Sequence, residues 1–188
     1  MKVKIDTIQI DKARIIGAFF LLVFLAYGFG RNLFDSESDA EKYMGALLIM
    51  ANSIMVFFIG FWFRKTLQQY NALVGNIYLF ARTFEAIILA CLVLKLFSLS
   101  LISDNIGYFL GMLVLGLGSI PMCLTLYKHQ IAPAWLAIWG IIGYSIFSFG
   151  FLMELFGNEW SMYLLGLAGL WEITFGIWLM MKGGQSKK

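Results

Sequence analysis

Six apolar stretches separated by short polar segments dominate the pattern of the chain, and they lie at residues 15–34, 40–63, 73–99, 105–127, 133–155 and 162–181. A helix needs about 20 apolar residues to cross a hydrocarbon core that is ~30 Å thick. Backbone that faces lipid must also satisfy its own hydrogen bonds, which a helix does. The pattern therefore predicts an all-α polytopic membrane protein with six transmembrane helices, in which sequence neighbours pack antiparallel.

The residues before several stretches favour helix initiation. The segment Ser38-Asp39-Ala40-Glu41 fits a capping box, in which the serine and glutamate side chains each accept a hydrogen bond from a backbone N–H of the first turn. Ser103 or Asp104 is suited to cap the fourth helix, and Pro133 and Ser161 are suited to open the fifth and sixth. Because the connecting segments are short, we expect residues 1–188 to form one membrane domain.

Composition narrows the class of protein further. Hydrophobic residues make up 61% of the chain and charged residues only 13%, whereas soluble domains are roughly 45–50% apolar and about 25% charged. A polar surface of normal size cannot cover this apolar content. The composition therefore excludes a soluble enzyme, a disordered chain and a disulfide-stapled secreted scaffold, and it predicts the lipid bilayer as the main partner.

Basic residues are distributed unevenly between the two sides that six spans define. If both termini are cytoplasmic, ten of the 14 Lys and Arg residues lie inside: Lys2, Lys4, Lys12, Arg14, Arg64, Lys65, Lys128, Lys182, Lys187 and Lys188. Only Arg31, Lys42 and Lys95 lie outside. This asymmetry predicts a multi-pass protein of the cell membrane with cytoplasmic N- and C-termini. Since the net charge of +3 is explained by loops and tails, we expect no nucleic-acid partner.

Three charged residues fall inside predicted spans. Arg82 and Glu85 are three residues apart, so they share a helix face with Tyr78 and can pair. Glu172 lies near the middle of the last span, on a face that also carries small residues, which allow close helix approach. Because a charge at the bilayer centre costs about 2.5–3.5 kcal/mol, we expect all three to point into the bundle.

The three charges have two interpretations. In the structural one, Arg82 bridges both glutamates and locks helices three and six together. In the functional one, the excess negative charge of the group marks a ligand or proton site. The candidate residues of that site are Arg82, Glu85, Glu172, Tyr78, Tyr144 and Asn52.

The sequence offers no arrangement for nucleophilic or metal chemistry. His129 lies in a predicted cytoplasmic turn, so it cannot serve as the base for a serine or cysteine nucleophile. Cys91 and Cys123 lie in apolar runs, where free cysteine packs as a small hydrophobe. We therefore expect no catalytic residue, no metal site and no cofactor.

Four segments, 13–30, 82–90, 107–149 and 177–183, resemble a family of bacterial multi-pass membrane proteins, the domain of unknown function 4386. The most typical segment, 107–149, combines a Gly-rich helix, a short basic turn, a proline and a Gly-Tyr pair in the next helix. The resemblance implies the fold and a bacterial membrane, and it implies no activity.

The sequence thus favours an uncharacterised membrane protein in which a buried Arg/Glu centre serves small-molecule or proton-linked binding or transport. A small-molecule ligand and a homodimeric partner are candidates. One alternative is a membrane assembly or sensory subunit that acts through helix contacts. Another is an intramembrane lipid-modifying enzyme that uses the glutamates as general acid and base.

Overall fold

The computed structural model describes residues 7–97, 99, 104–158 and 161–182. Within these residues the chain forms six long α-helices, each apolar and long enough to cross a membrane. They are α1 (Thr7–Phe34), α2 (Asp39–Leu67), α3 (Ala72–Cys91), α4 (Asp104–Lys128), α5 (Ala134–Leu155) and α6 (Ser161–Lys182). The prediction of an all-helical protein with six membrane-spanning segments is confirmed.

The helix boundaries differ from the predicted spans mainly at α1 and α3. Helix α1 begins at Thr7, eight residues before the predicted span, because a polar first turn can stay helical outside the apolar core. The predicted span 73–99 divides into α3, which ends at Cys91, and a 3₁₀-helix at Leu92–Phe97. Tightened 3₁₀ turns are common at helix C-termini, and hydropathy does not distinguish them from α-helix.

The capping box predicted at the start of α2 is wrong. Ser38 is the N-cap residue, but its side chain makes no capping hydrogen bond. Glu41 instead accepts a hydrogen bond from the Ser36 hydroxyl, and the Ser38 N–H donates to Ser36 Oγ over 3.2 Å. The Ser36 side chain therefore accepts the hydrogen bond from the Ser38 N–H that the motif assigns to Glu41.

The other predicted helix starts have mixed outcomes. Pro133 is the N-cap residue of α5, and α6 begins at Ser161. The predicted caps of α4 at Ser103 and the Asp104 side chain lie outside the described residues. An unpredicted cap occurs at α3, where the Asn71 side chain accepts from the N–H groups of Leu73 and Val74 over 3.0 and 3.3 Å.

The six helices form a closed ring. Each helix packs against its neighbours in sequence, and α6 returns to pack against α1. Because consecutive helices run in opposite directions, this arrangement confirms the predicted antiparallel packing. The ring places α3 opposite α6, so side chains of these two helices meet across the centre.

Glycine closes the ring between α1 and α6. A Cβ atom added to Gly17 would lie 2.5 Å from the Gly176 carbonyl oxygen and 3.0 Å from the Met180 nitrogen. A Cβ atom on Gly176 would lie 2.9 Å from the Gly17 carbonyl oxygen. The two backbones therefore touch where neither residue carries a side chain, as in small-residue packing between membrane helices.

The outside of the ring is covered by large apolar side chains. Leu47, Ile54, Phe80, Ile87 and Leu117 are 54–67% exposed. A soluble monomer rarely exposes a continuous apolar surface of this kind, whereas lipid tails solvate it. The chain is therefore a multi-pass membrane protein, and the predicted cell membrane and orientation stay predictions.

The two ends of the ring differ in charge. The acidic end holds the α1–α2 connection with Asp35, Glu37, Asp39 and Glu41. The basic end holds the α2–α3 and α4–α5 connections with Arg64, Lys65 and Lys128, and Arg14 near the start of α1.

We expect the basic end to face the cytoplasm, which impermeant thiol labelling of spheroplasts can measure. A cysteine at Glu37→Cys should react with a membrane-impermeant maleimide in intact spheroplasts, because Glu37 is exposed at the acidic end. A cysteine at Lys128→Cys should react only after permeabilisation. The unsubstituted chain gives the background from Cys91 and Cys123, and the reverse labelling pattern would refute the orientation.

Closure of the ring should depend on Gly17. The substitution Gly17→Ala inserts a methyl group against the backbone of α6 and should lower the free energy of unfolding by about 1–3 kcal/mol. Gly28→Ala in the same helix is the matched control, since nothing lies within 4 Å of its added Cβ. Unfolding in a mild detergent measures both variants, and equal stability would contradict the close approach.

Candidate functional site

Arg82, Glu172 and Tyr144 lie at the same depth in the ring. Arg82 is ten residues after the first residue of α3, Tyr144 is ten after the first of α5, and Glu172 is ten before the last of α6. These three helix ends all belong to the basic end. At 1.5 Å per residue, each Cα lies about 15 Å from that end, half the thickness of a ~30 Å hydrocarbon core.

Arg82 binds three side chains through three different nitrogens. Nε donates to the Tyr78 hydroxyl over 3.0 Å, and Nη1 donates to Glu85 Oε2 over 3.0 Å. Nη2 donates to Glu172 Oε1 over 2.5 Å. The guanidinium is 1% exposed. Its planar fork of five N–H donors makes these three directions available at once, which a lysine ammonium does not match.

Tyr144 completes the group from a third helix. Its hydroxyl donates to Glu172 Oε1 over 2.6 Å, so this one oxygen accepts from both Arg82 and Tyr144. We call Tyr78, Arg82, Glu85, Tyr144 and Glu172 the central cluster. It joins α3, α5 and α6 by hydrogen bonds to charged groups, which are stronger than neutral ones.

One oxygen of each glutamate receives no hydrogen bond from the described residues. These atoms are Glu85 Oε1 and Glu172 Oε2. Among the described side chains, no fully enclosed nitrogen or oxygen lacks a partner. Both oxygens therefore keep some accessible surface, although the two glutamates are only 6% and 8% exposed as residues.

Gly60 of α2 makes space for Arg82, and sequence reasoning missed it. A Cβ atom on Gly60 would lie 2.6 Å from the Arg82 Cβ. The signal was present in the sequence, because Gly60 continues the stripe of Val56, Ile59 and Phe63, all buried, on one face of α2. A small residue in such a stripe marks the point where a neighbouring helix brings a large side chain.

An aromatic layer borders the central cluster on its basic side. The Arg82 guanidinium carbon lies 5.5 Å from the ring centres of both Phe20 and Tyr78, a distance at which a cation and a π face attract. Phe63 lies 6.0 Å from Phe20 and 5.8 Å from Phe175 between ring centres. These four rings form the basic-side layer and come from α1, α2, α3 and α6; Tyr78 belongs to both the layer and the central cluster.

A second aromatic layer lies on the acidic side. Tyr27 of α1 stacks on Tyr108 of α4 with ring centres 6.1 Å apart. Tyr108 contacts Phe151 at 5.8 Å, and Phe151 contacts Phe147 at 4.7 Å. This acidic-side layer leads back to the central cluster, because Phe147 contacts Tyr144 at 6.2 Å.

The structure brings together five of the six residues that the sequence predicts for the site. Asn52 is the exception. It is buried in α2 with 2% exposure, but no hydrogen bond joins its side chain to the central cluster or to any other described residue. The sequence predicted that Asn52 is buried. It carried no information on the rotation of α2 about its axis, so it could not predict whether Asn52 contacts the central cluster.

A comparison with protein families finds a match within the second half of the chain. Residues 99–183 match the family model described as a domain of unknown function (DUF4386). The resemblance predicted from the sequence is therefore confirmed over α4, α5 and α6, the part that contains Tyr144 and Glu172. Tyr78, Arg82 and Glu85 lie before the matched residues. No curated protein and no solved structure matches the chain.

Removing the arginine should destabilise the fold strongly. In Arg82→Gln the two buried carboxylates lose their shared cation, and breaking a buried ion pair from one side costs about 3–5 kcal/mol. The triple variant Arg82→Met, Glu85→Gln, Glu172→Gln removes all three charges and should recover much of that loss. Denaturant unfolding in detergent compares the two, and a stable Arg82→Gln protein would show that the carboxyl groups are protonated or hydrated without Arg82.

Proposed function

We propose that the protein is a proton-linked binding or transport protein whose central cluster takes up and releases one proton in the middle of the bilayer. One observation carries the proposal: a single buried guanidinium serves two carboxylates, about 15 Å from the basic end of the ring. Ionisable residues at this depth are expensive, and in membrane proteins they commonly mark pathways for ions or protons.

Charge balance supports the proton. With all three groups ionised, Arg82, Glu85 and Glu172 carry a net charge of −1 in a site of low dielectric. A single bound proton removes that excess and leaves one ion pair with Arg82. Binding of a cationic ligand has the same effect, so the same arrangement supports exchange between a proton and a cation.

The hydrogen bonds favour Glu85 as the residue that holds the proton. Glu172 Oε1 accepts from both Arg82 and Tyr144, whereas Glu85 accepts from Arg82 alone. Two donors on one oxygen stabilise the ionised form of Glu172 more than one donor stabilises that of Glu85. Glu85 Oε1, which has no described donor, is then the atom that binds the proton.

The two aromatic layers provide a basis for access from one side at a time. The central cluster lies between them, and each layer contains tyrosine: Tyr78 on the basic side, Tyr27 and Tyr108 on the acidic side. Repacking of one layer admits water to the cluster while the other layer stays closed. That is the requirement for alternating access at a fixed central site.

The alternative functions draw less support from the contacts. General acid–base chemistry on lipid needs carboxyl groups that can approach a substrate, and here both are held by Arg82. An assembly or sensory subunit needs a helix face reserved for a partner. Each of the six helices already packs against two others, and the outer surface is apolar on all sides of the ring.

The proton can be detected by pH-difference infrared spectroscopy of the protein reconstituted in lipid. We expect a carboxylic-acid C=O band that grows as the pH falls and is absent from the Glu85→Gln variant. Glu37→Gln, an exposed glutamate at the acidic end, is the matched control and should keep the band. If Glu85→Gln and the unsubstituted protein give the same band, Glu85 is not the proton carrier.

A flux measurement separates transport from binding. Vesicles that enclose a pH-sensitive dye, with K⁺ and valinomycin to compensate the charge of the entering protons, should acidify under a proton gradient when they contain the unsubstituted or Glu37→Gln protein. They should not acidify when they contain Glu85→Gln. Circular dichroism and a single elution peak check that each variant is folded. If Glu85→Gln unfolds, Glu85→Asp keeps the carboxyl group, and its infrared band should shift in frequency instead of disappearing.

A further inference from the structure

An open groove of about 760 Å³ lies at the basic end, between the α4–α5 turn and the last two turns of α6. Its lining includes Tyr127, Lys128 and Gln130 from the turn, Ala134 from the start of α5, and Trp178 and Met181 from α6. We call it the basic-end groove. Its size is that of a small-molecule or headgroup site, and it lies well away from the central cluster.

The turn presents polar groups at one wall of the groove. Gln130 adopts a left-handed backbone with φ of 51°, and the turn is closed by hydrogen bonds from Gln130 N to Tyr127 O and from Ile131 N to Leu126 O. Because the backbone N–H groups of Gln130 and Ile131 are used inside the turn, these residues offer ligands their side chains. Lys128 and Gln130 are exposed there, a cation and an amide that suit a phosphodiester.

The other wall is apolar and continues onto the lipid-facing surface. Met181 is 64% exposed on α6, and Tyr127 is 47% exposed on α4. Trp178 stands between the polar mouth and the rings of the core, with its ring centre 5.7 Å from that of Phe175. Aromatic side chains with one polar edge favour the headgroup level of a bilayer, so this wall suits the first part of an acyl chain.

The positive charge at the basic end favours a negatively charged ligand. Residues 127–134 and 173–182 contain Lys128 and Lys182 and no Asp or Glu. The contact of Gly17 with Gly176 and Met180 brings the start of α1, with Arg14, to the same end as Met181. Lys128 beside an apolar wall is complementary to a molecule that combines an anionic head with a hydrocarbon tail.

We infer that the basic-end groove binds one anionic phospholipid of the leaflet that faces the basic end. Lys128 and Gln130 hold the headgroup phosphate, and the acyl chains run outward past Trp178 and Met181 along α6. The bound lipid therefore contacts both the α4–α5 turn and the end of α6.

Native mass spectrometry of the full chain in a mild detergent tests the site, because a micelle has no extended anionic surface. Dioleoyl phosphatidylglycerol should bind as one tight equivalent, and dioleoyl phosphatidylcholine should bind more weakly. Lys128→Gln should weaken phosphatidylglycerol binding by about fivefold, the size of one lysine–phosphate attraction at a membrane surface. Lys65→Gln is the matched control, since it removes one basic charge from the same end outside the groove.

A second variant tests the cavity itself. Ala134 is exposed in the groove, so Ala134→Phe should fill the space without disturbing the core and should reduce phosphatidylglycerol binding as Lys128→Gln does. If Lys65→Gln and Lys128→Gln lose phosphatidylglycerol binding to the same extent, the lipid responds only to the overall charge of the basic end, and the site is overturned. Equal binding of the two lipids, or displacement of phosphatidylglycerol by inorganic phosphate, would overturn its assignment to an anionic lipid.

Discussion

The ion pair between Arg82 and Glu172 is the interaction on which the interior of the ring depends. Its two residues come from helices on opposite sides, α3 and α6, which do not pack along their length but meet through side chains at the centre. In a medium of low dielectric, loss of either group leaves the charge of the other less well compensated. The pair therefore sets both the rotation of the two helices about their axes and their relative depth in the bilayer.

Glycine and large side chains are arranged as partners around that pair. Gly60 admits the stem of Arg82, and Gly140 admits the ring of Trp171, since a Cβ atom on Gly140 would lie 2.7 Å from it. Trp171 also donates to the Leu136 carbonyl over 2.6 Å, so its one polar group is satisfied. Large side chains such as Arg82 and Trp171 thus fill the interior at points where the facing helix carries glycine, which allows the helices to pack closely.

Much of this architecture could be predicted from the sequence because membrane thickness fixes the length of each apolar stretch. The pairing of Arg82 with Glu85 followed from their spacing, and the involvement of Glu172 followed from the scarcity of charge within the spans. What hydropathy could not supply was rotation. The contact of Gly60 with Arg82 depends on how α2 and α3 are rotated against each other, and so does the lack of a hydrogen bond between Asn52 and the central cluster.

Closure of the ring through α1 and α6 has a consequence for biogenesis. Arg82 precedes Glu172 by 90 positions, so α3 leaves the ribosome well before α6. During synthesis the arginine therefore enters the membrane well before its main counter-ion exists, with Glu85 alone beside it. Before α6 is made, Arg82 lacks its contact with Glu172, and the place beside α1 that α6 occupies is empty.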